Sequence, residues 1–334
     1  MRMSWFGLLI GLLVLAYGGL WWYGRSTHPL SYGISFSSSY AAWLHIDWKN
    51  IYTEMLQDLQ PAFIRISADW DEVEKEEGVY DFSSVDFMMD TAQAYGTQVV
   101  LVFGQKTPRW PECHIPKWAT SYGEEEYRTR FFAYVETVVN RYRAHPALEY
   151  WQVENEPFIT FEFGECAHFR PHFFDQELAV VRKLDTEHPV VVTDSGELSL
   201  WRKAAQAGDV FGTTMYRVIR TPGGRVLTYD WLPMGWYRFR AMLWGVPHDK
   251  FFISELQAEP WVHTGGIPAS SVEEQMKTMD IERMKKNLED ARHSGASRAY
   301  VWGVEWWYWM KYEQGNVSFI DTARAYVQKN SEQQ

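Results

Sequence analysis

Short β-like runs and amphipathic stretches alternate eight times along this chain, and that alternation limits what it can fold into more than any other feature. The β-like runs are residues 32–36, 63–67, 98–103, 149–153, 190–193, 210–215, 251–254 and 298–302. Helical periodicity occupies the stretches between them: 47–60, 85–95, 124–143, 173–186, 200–207, 237–243 and 272–293. Residues 99–102 and 190–192 are apolar without interruption. A strand with no polar face is covered on both sides, as in a parallel sheet flanked by helices. Eight such units over about 300 residues predict an α/β fold closed into a (β/α)8 TIM barrel. A doubly wound open sheet is the competitor, but no Gly-x-Gly-x-x-Gly turn follows the first run.

Ahead of the first unit, residues 5–23 carry no charge and are strongly apolar, with Arg2 before them and Arg25 after. Nineteen residues in a helix span about 28 Å, enough for one membrane crossing. Trp21, Trp22 and Tyr23 close the run, as a headgroup-level aromatic belt does. The expectation is an N-terminal transmembrane signal anchor over 1–25, a short tether over 26–31 and a catalytic domain over 32–329. The N-terminus is then cytoplasmic and the large domain extracytoplasmic at the cell membrane. A cleaved signal peptide, with Ala16-Tyr17-Gly18 as its processing site, is the alternative, and a helix buried in the domain is a third. Residues 330–334 read as a frayed tail.

The chain has 32 Lys and Arg against 43 Asp and Glu, a net charge of −11. That sign argues against nucleic acid or anionic lipid headgroups as partners. Aromatic residues make up 17% of the sequence, 18 of them tryptophan. A bulky core accounts for such a content; so does an aromatic-lined groove for a ligand with flat apolar faces and hydroxyl edges. Trp70, Trp110, Trp261, Trp302, Trp306, Trp307 and Trp309 fall at or just beyond predicted strand ends, which makes them candidate sugar platforms.

In a (β/α)8 barrel the chemistry sits where strands run out into the following loops. The fourth run ends in Asn155-Glu156-Pro157 and the seventh delivers Glu255. Two carboxylates from opposite sides of a barrel mouth are the equipment for splitting a glycosidic bond: one protonates the leaving oxygen, the other attacks or stabilises an oxocarbenium-like centre. Their environments must separate their pKa values. No metal or organic cofactor is needed, since both groups are side chains, and His45, His114, His168 and His172 lack zinc-ligand spacing.

At these residues the sequence resembles the clan-A retaining glycoside hydrolases, the broad group of family 5 cellulases and family 42 β-galactosidases. The resemblance covers essentially residues 32–312. Tyr-Trp-Gln-Val-Glu-Asn-Glu-Pro at 150–157 and Ile-Ser-Glu at 253–255 carry it, supported by Phe-Ile-Arg-Ile-Ser-Ala-Asp-Trp at 63–70 and Glu-Gly-Val-Tyr-Asp-Phe at 77–82. It implies a retaining mechanism with Glu156 as acid/base and Glu255 as nucleophile. It also implies that Asn155 binds the hydroxyl beside the anomeric carbon, that Arg65 keeps the nucleophile ionised, and that Tyr216 hydrogen-bonds it. Trp302, or else Trp306, would be the platform under the cleaved sugar. Several relatives carry a histidine after strand three or before the strand-six tyrosine, where this chain has Gln105 and Thr214-Met215. Hydrogen bonding around the sugar therefore differs, and its identity does not carry over. Glu154 reads as a paired structural acid; Glu259 binds substrate or caps its loop; Glu305 reads as a paired acid or a hydroxyl binder.

Residues 106–118 hold Trp110, Trp118, three prolines and Cys113, so the loop is stiff and its tryptophans are expected at the mouth of the cleft. Cys166 follows strand four. Both cysteines, the only two in the chain, then fall on the catalytic face, and a Cys113–Cys166 disulfide is expected to brace it. The sequence thus predicts a membrane-anchored glycosidase cleaving β-linked oligo- or polysaccharides with retention. A catalytically silent cell-surface carbohydrate-binding protein and a transglycosylase are the alternatives.

Overall fold

The computed structural model of the chain describes residues 5–159, 164–221, 223–262 and 265–328. Arg2 and the expected tail at 330–334 lie outside these. Eight parallel strands close into a barrel. They are Ser31–Ser35, Phe63–Ser67, Gln98–Phe103, Leu148–Val153, Val190–Asp194, Val210–Met215, Phe251–Gln257 and Arg298–Trp302. Closure is made by the first strand pairing with the eighth, Ser31 opposite Arg298 through Ser35 opposite Trp302.

Strand alternation sorts the side chains. Ile64, Ile66, Val99 and Leu101 join the large apolar shell between strands and helices. A separate cluster of Phe63, Val100, Val191, Val210, Phe252 and Tyr300 plugs the interior. Phe63 and Tyr300 meet edge to face at 5.1 Å between centroids, one of the favoured aromatic geometries. Two residues further along the same strands, with the same parity, come Arg65, Ser254 and Trp302. Bulky rings thus form a floor, and polar groups form the layer above it, toward the C-terminal mouth.

The first strand contributes a gap to this floor rather than a ring. A Cβ on Gly33 would lie 2.3 Å from the Phe63 ring and 2.4 Å from the Phe63 carbonyl oxygen. Gly33→Ala is expected to lower stability by about 1–3 kcal/mol, the usual cost of overpacking. A urea midpoint unchanged from wild type would contradict that packing.

Helical elements differ from expectation at several places, two of them late in the chain. The stretch 272–293 is two helices, Val272–Met276 and Ile281–Ala291. No Gly or Pro marks the break. Asp280 makes it by accepting from Arg283 N at 2.7 Å, capping the second helix. Past the eighth strand come two helices, Val304–Gln314 and Ser318–Val327. The first of these is apolar nearly all round, so periodicity did not single it out.

Trp5–Tyr23 forms one helix, and most of its side chains are exposed. Its final turns are fixed to the barrel. Tyr17 Oη donates to Trp231 O at 2.5 Å, Arg238 Nη1 donates to Tyr23 O, and the Arg238 guanidinium lies 4.1 Å from the Tyr23 ring centroid. The stretch that leaves the protein surface, residues 5–16, is only about 18 Å long at 1.5 Å per residue, against about 30 Å of hydrocarbon. Among the described residues, no helix is long and apolar enough to cross a membrane. The expected transmembrane anchor is corrected accordingly, and with it the membrane as a partner through this helix.

Candidate active site

The fourth strand ends in an unusual piece of backbone. Glu154 and Glu156 both have positive φ, 60° and 48°, a region non-glycine residues enter only when neighbours hold them there. Each residue is clamped: Glu154 N donates to Phe103 O at 2.9 Å and Asn155 N to Lys106 O at 2.7 Å, while Glu156 N donates to Thr193 Oγ1 at 2.9 Å. The twist separates two acids of equal parity. Glu154 turns into the protein and accepts from Gln105 N at 2.9 Å and Lys106 N at 2.6 Å. It leaves room only for a glycine at 104, whose Cβ would lie 2.6 Å from the Glu154 carboxyl carbon at φ +142°. Glu156 instead turns into the pocket.

That pocket, about 430 Å³, opens at the C-terminal end of the barrel. Asn155, Glu156, Tyr216, Glu255 and Trp302 all line it. Glu255 comes from within the seventh strand rather than after it. Register shifts on both neighbours, between Thr213 and Thr214 and between Ala299 and Val301, mark a bulge at this point. Bulges re-aim side chains beside active sites.

Arg65 is buried and serves as the hub. Its Nη1 donates to Glu255 Oε1 at 3.0 Å, Nη2 to Asn155 Oδ1 at 2.9 Å, and Nε to Gln152 Oε1 at 2.8 Å. Arg65 itself does not line the pocket; it positions residues that do. Asn155 Oδ1 also accepts from Gln152 Nε2 and Thr193 Oγ1, each at 3.3 Å. With its oxygen so occupied, the amide nitrogen is the part left for a ligand. Tyr216 Oη donates to the other nucleophile-candidate oxygen, Glu255 Oε2, at 2.9 Å.

Burial pushes the Glu156 carboxyl up to about 8, and the negative charge of Glu255 adds to the shift. Among the described residues, its one side-chain donor is Thr214 Oγ1 at 3.4 Å, a long contact that stabilises the charged form little. Glu255, by contrast, receives a guanidinium and a phenol. One carboxyl of the pair thus holds its proton near neutrality while its partner sits in a nest of donors, which is the division that acid-assisted displacement needs.

Trp302 lines the pocket, but Trp306 does not. Trp306 is fully buried, donates to Gln275 Oε1 at 2.8 Å and packs on Phe319 at 4.4 Å. The helix beginning at Val304 turns it away from the mouth, so it is no sugar platform. Trp70 and Trp307 are likewise buried, and Trp70 is ringed by Trp118, Tyr127, Phe131 and Tyr134 at 5.2–5.7 Å. Trp118 belongs to that cluster instead of the cleft. Of the tryptophans expected as platforms, Trp110, Trp261 and Trp302 reach the pocket. Gln105, where relatives carry histidine, is buried beneath the site, accepting from Tyr127 Oη at 2.8 Å.

Cys113 and Cys166 are joined by a disulfide. The loop it ties down supplies side chains that sequence reasoning missed. Arg109 and Glu112 both adopt positive φ and both line the pocket. Burial raises the Glu112 carboxyl to about 7. Arg109 reaches Glu259 and Glu305 at once. Glu197, after the fifth strand, also lines the pocket and accepts from Tyr216 N at 3.1 Å and from Tyr237 Oη. All follow strand ends, so the rule that located Glu156 was available for them. Residue type and spacing do not set Arg109 and Glu112 apart from Lys106 and Lys117 in the same loop. Among the described residues, no group of three or more His, Cys, Asp or Glu is arranged to hold a metal ion.

Solved structures share this architecture. Xylanase 10B from Thermotoga maritima matches at 16% identity and a TM-score of 0.58, over 95% of this chain and 99% of that one. A β-galactosidase from the psychrophilic Marinomonas ef1 matches at 14% identity and a TM-score of 0.56, over 81% of this chain and 53% of that one. An endo-β-1,4-xylanase from Gloeophyllum trabeum matches at 14% and 0.56, over 92% and 98%. At such identities the likeness is one of fold. That fold is the closed (β/α)8 barrel. Within it, the family model that matches is the family 42 model described as beta-galactosidase, over residues 39–189, a little under half of the chain. The chain spans about half the length of the β-galactosidases it resembles. Among curated proteins, none matches.

Proposed function

We propose that the protein hydrolyses β-linked glycosides with retention at the anomeric carbon. Glu255 attacks that carbon while Glu156 gives its proton to the departing glycosidic oxygen. The glycosyl–Glu255 ester is then cleaved by water, whose proton returns to Glu156. Arg65 and Tyr216 hold Glu255 toward the carbon and hydrogen-bond its negative charge. Asn155 offers its amide nitrogen to the sugar, and Trp302 offers a ring face. The observation that carries this reading is the pairing of Glu156, pushed up to about 8, with a Glu255 held by a guanidinium and a phenol.

A panel of aryl β-glycosides, with the anomeric form of the first product followed by NMR, tests the reaction. A first product of inverted configuration would sink the mechanism. The pH profile tests the division of roles. Glu156 acts in its protonated form, and its raised pKa preserves that form up to about pH 8. On that account kcat/KM stays high through neutrality and falls about tenfold per unit above pH 8. A decline already complete by pH 6 would contradict Glu156 as the acid.

We also place the barrel outside the reducing cytosol. The Cys113–Cys166 bond supports this, since disulfides persist in oxidising compartments. Mass spectrometry of the protein taken from its native cells, with free thiols trapped at lysis, tests it.

A further inference from the structure

The pocket has two ends of different character. At one, residues following the first, third, seventh and eighth strands gather around a single guanidinium. The Arg109 guanidinium carbon lies 4.0 Å from the Tyr40 ring centroid and 3.9 Å from that of Trp302, and Arg109 Nη1 pairs with Glu259 Oε1. At the other, Ile159, Leu198, Ile219, Tyr229, Trp261 and Val262 line the pocket from the loops after the fourth to seventh strands, which are neighbours in the barrel. Trp261 meets the Tyr216 ring edge to face at 5.5 Å, and Arg220 Nε donates to Trp261 O at 3.5 Å. That contact draws the loop after the seventh strand against the hairpin of Val218–Arg220 and Val226–Thr228.

The acid decides what meets this wall. Glu156 N donates to Thr193 Oγ1 at 2.9 Å and its carboxyl accepts from Thr214 Oγ1 at 3.4 Å, so it leans toward the fifth and sixth strands. The oxygen it protonates carries the leaving group, which therefore extends along the loops of those strands, away from Trp302. A sugar in that place needs donors and acceptors around its hydroxyl edges, and the side chains of Ile159, Leu198, Ile219 and Val262 have none. Of the polar side chains there, Glu197 already accepts at Oε1 from Tyr216 N and Tyr237 Oη. Apolar surface also continues out of the pocket. Leu198 is 63% exposed, and the segment carrying Tyr229 presents Leu227 and Trp231, 47% and 59% exposed. The Tyr229 and Trp231 rings lie 6.3 Å apart, and Trp231 O accepts from Tyr17 Oη of the exposed first helix. A run of exposed apolar side chains leading out of a cavity marks a binding surface.

We propose that the leaving-group end of the pocket binds an apolar aglycone, so that the protein cleaves β-glycosides of long-chain alcohols in preference to β-linked disaccharides. This rests on the hydrolytic reading above and adds the chemical class of the leaving group. The bond between the anomeric carbon and the alcohol oxygen breaks, that oxygen takes the Glu156 proton, and the alcohol departs along the wall. Water then releases the sugar from Glu255 and returns a proton to Glu156.

The test compares butyl, hexyl and octyl β-glycosides of the sugar that the aryl panel favours, each below its critical micelle concentration, with a β-linked disaccharide bearing that sugar at its non-reducing end. In the wild type, kcat/KM is expected to rise about two- to fourfold per added methylene, the yield of burying that group, and the octyl glycoside to exceed the disaccharide by about tenfold or more. Leu198→Asn with Ile219→Thr puts polar groups on the wall, and the rise should fall to about 1.5-fold per methylene or less. Leu198→Asn alone, at a position 63% exposed, guards against a folding defect and should lower the slope in the same direction. A flat chain-length series in the wild type, a disaccharide cleaved faster than the octyl glycoside, or a slope unchanged in both variants would overturn the apolar assignment and leave hydrolysis standing. A wild type inert toward every β-glycoside, aryl ones included, would overturn the hydrolytic reading, and this one with it.

Discussion

Glu255→Gln is expected to reduce kcat about 10⁴-fold or more, with the protein still folded. The amide keeps the shape of the carboxylate, and Oε1 can still accept from Arg65. It cannot form the glycosyl ester, so the double displacement loses its first bond. Glu156→Gln separates the two roles. With an ordinary alkyl or sugar leaving group its loss is expected near 10²- to 10⁴-fold, the usual worth of positioned proton transfer. With a dinitrophenyl glycoside, whose leaving group departs without a proton, the first step is expected to keep most of its rate, and the alkaline limb above pH 8 should vanish from it. Single-turnover kinetics on both substrates read this directly. If Glu255→Gln retains more than a hundredth of wild-type kcat, Glu255 is not the nucleophile.

The second large effect concerns the loop over the pocket. Cys113→Ser with Cys166→Ser opens a link across 53 residues of sequence. The chain-entropy account gives a loss of about 4 kcal/mol for a loop of that size, which a urea titration measures. The consequence for activity has a separate origin. Arg109 and Glu112 both sit in left-handed backbone next to Cys113, conformations that persist only while the surroundings enforce them. Freed of the bridge, the loop should relax, with Arg109 drawn from its place between Tyr40 and Trp302. A misplacement of about 1 Å costs up to 10²-fold in rate. Dithiothreitol should reproduce the effect in the wild type and leave the serine variant unchanged. A reduced protein with full kcat/KM would show that the loop holds its shape without the bridge.

Much of the fold was open to reading because its signals are local. Uninterrupted runs such as 99–102 and 190–192 mark strands covered on both faces, and eight alternations leave few architectures besides a barrel. The strand-end rule then led to Asn155, Glu156 and Glu255 from the sequence. What escaped was whatever depends on direction. The helix from Val304 sends Trp306 and Trp307 into the core within a turn of Trp302. The apolar run at 5–23 reads as a membrane span until Tyr17 and Tyr23 are seen bonded to the barrel surface.

By itself the sequence determined the number and order of the barrel strands, the glutamate pair Glu156 and Glu255 and the two cysteines in reach of one rim. Hydrophobic patterning and position along the chain are enough for these. Only the tertiary structure decided which way each acid faces. Positive φ at Glu154 and Glu156 points one inward and the other into the pocket, and a bulge aims Glu255 at it. It also decided that Arg109, from a loop read for its tryptophans, grips Glu259 and Glu305 together. Such choices are made by contacts between residues 37 to 196 positions apart, where hydrogen-bond geometry and burial select one arrangement.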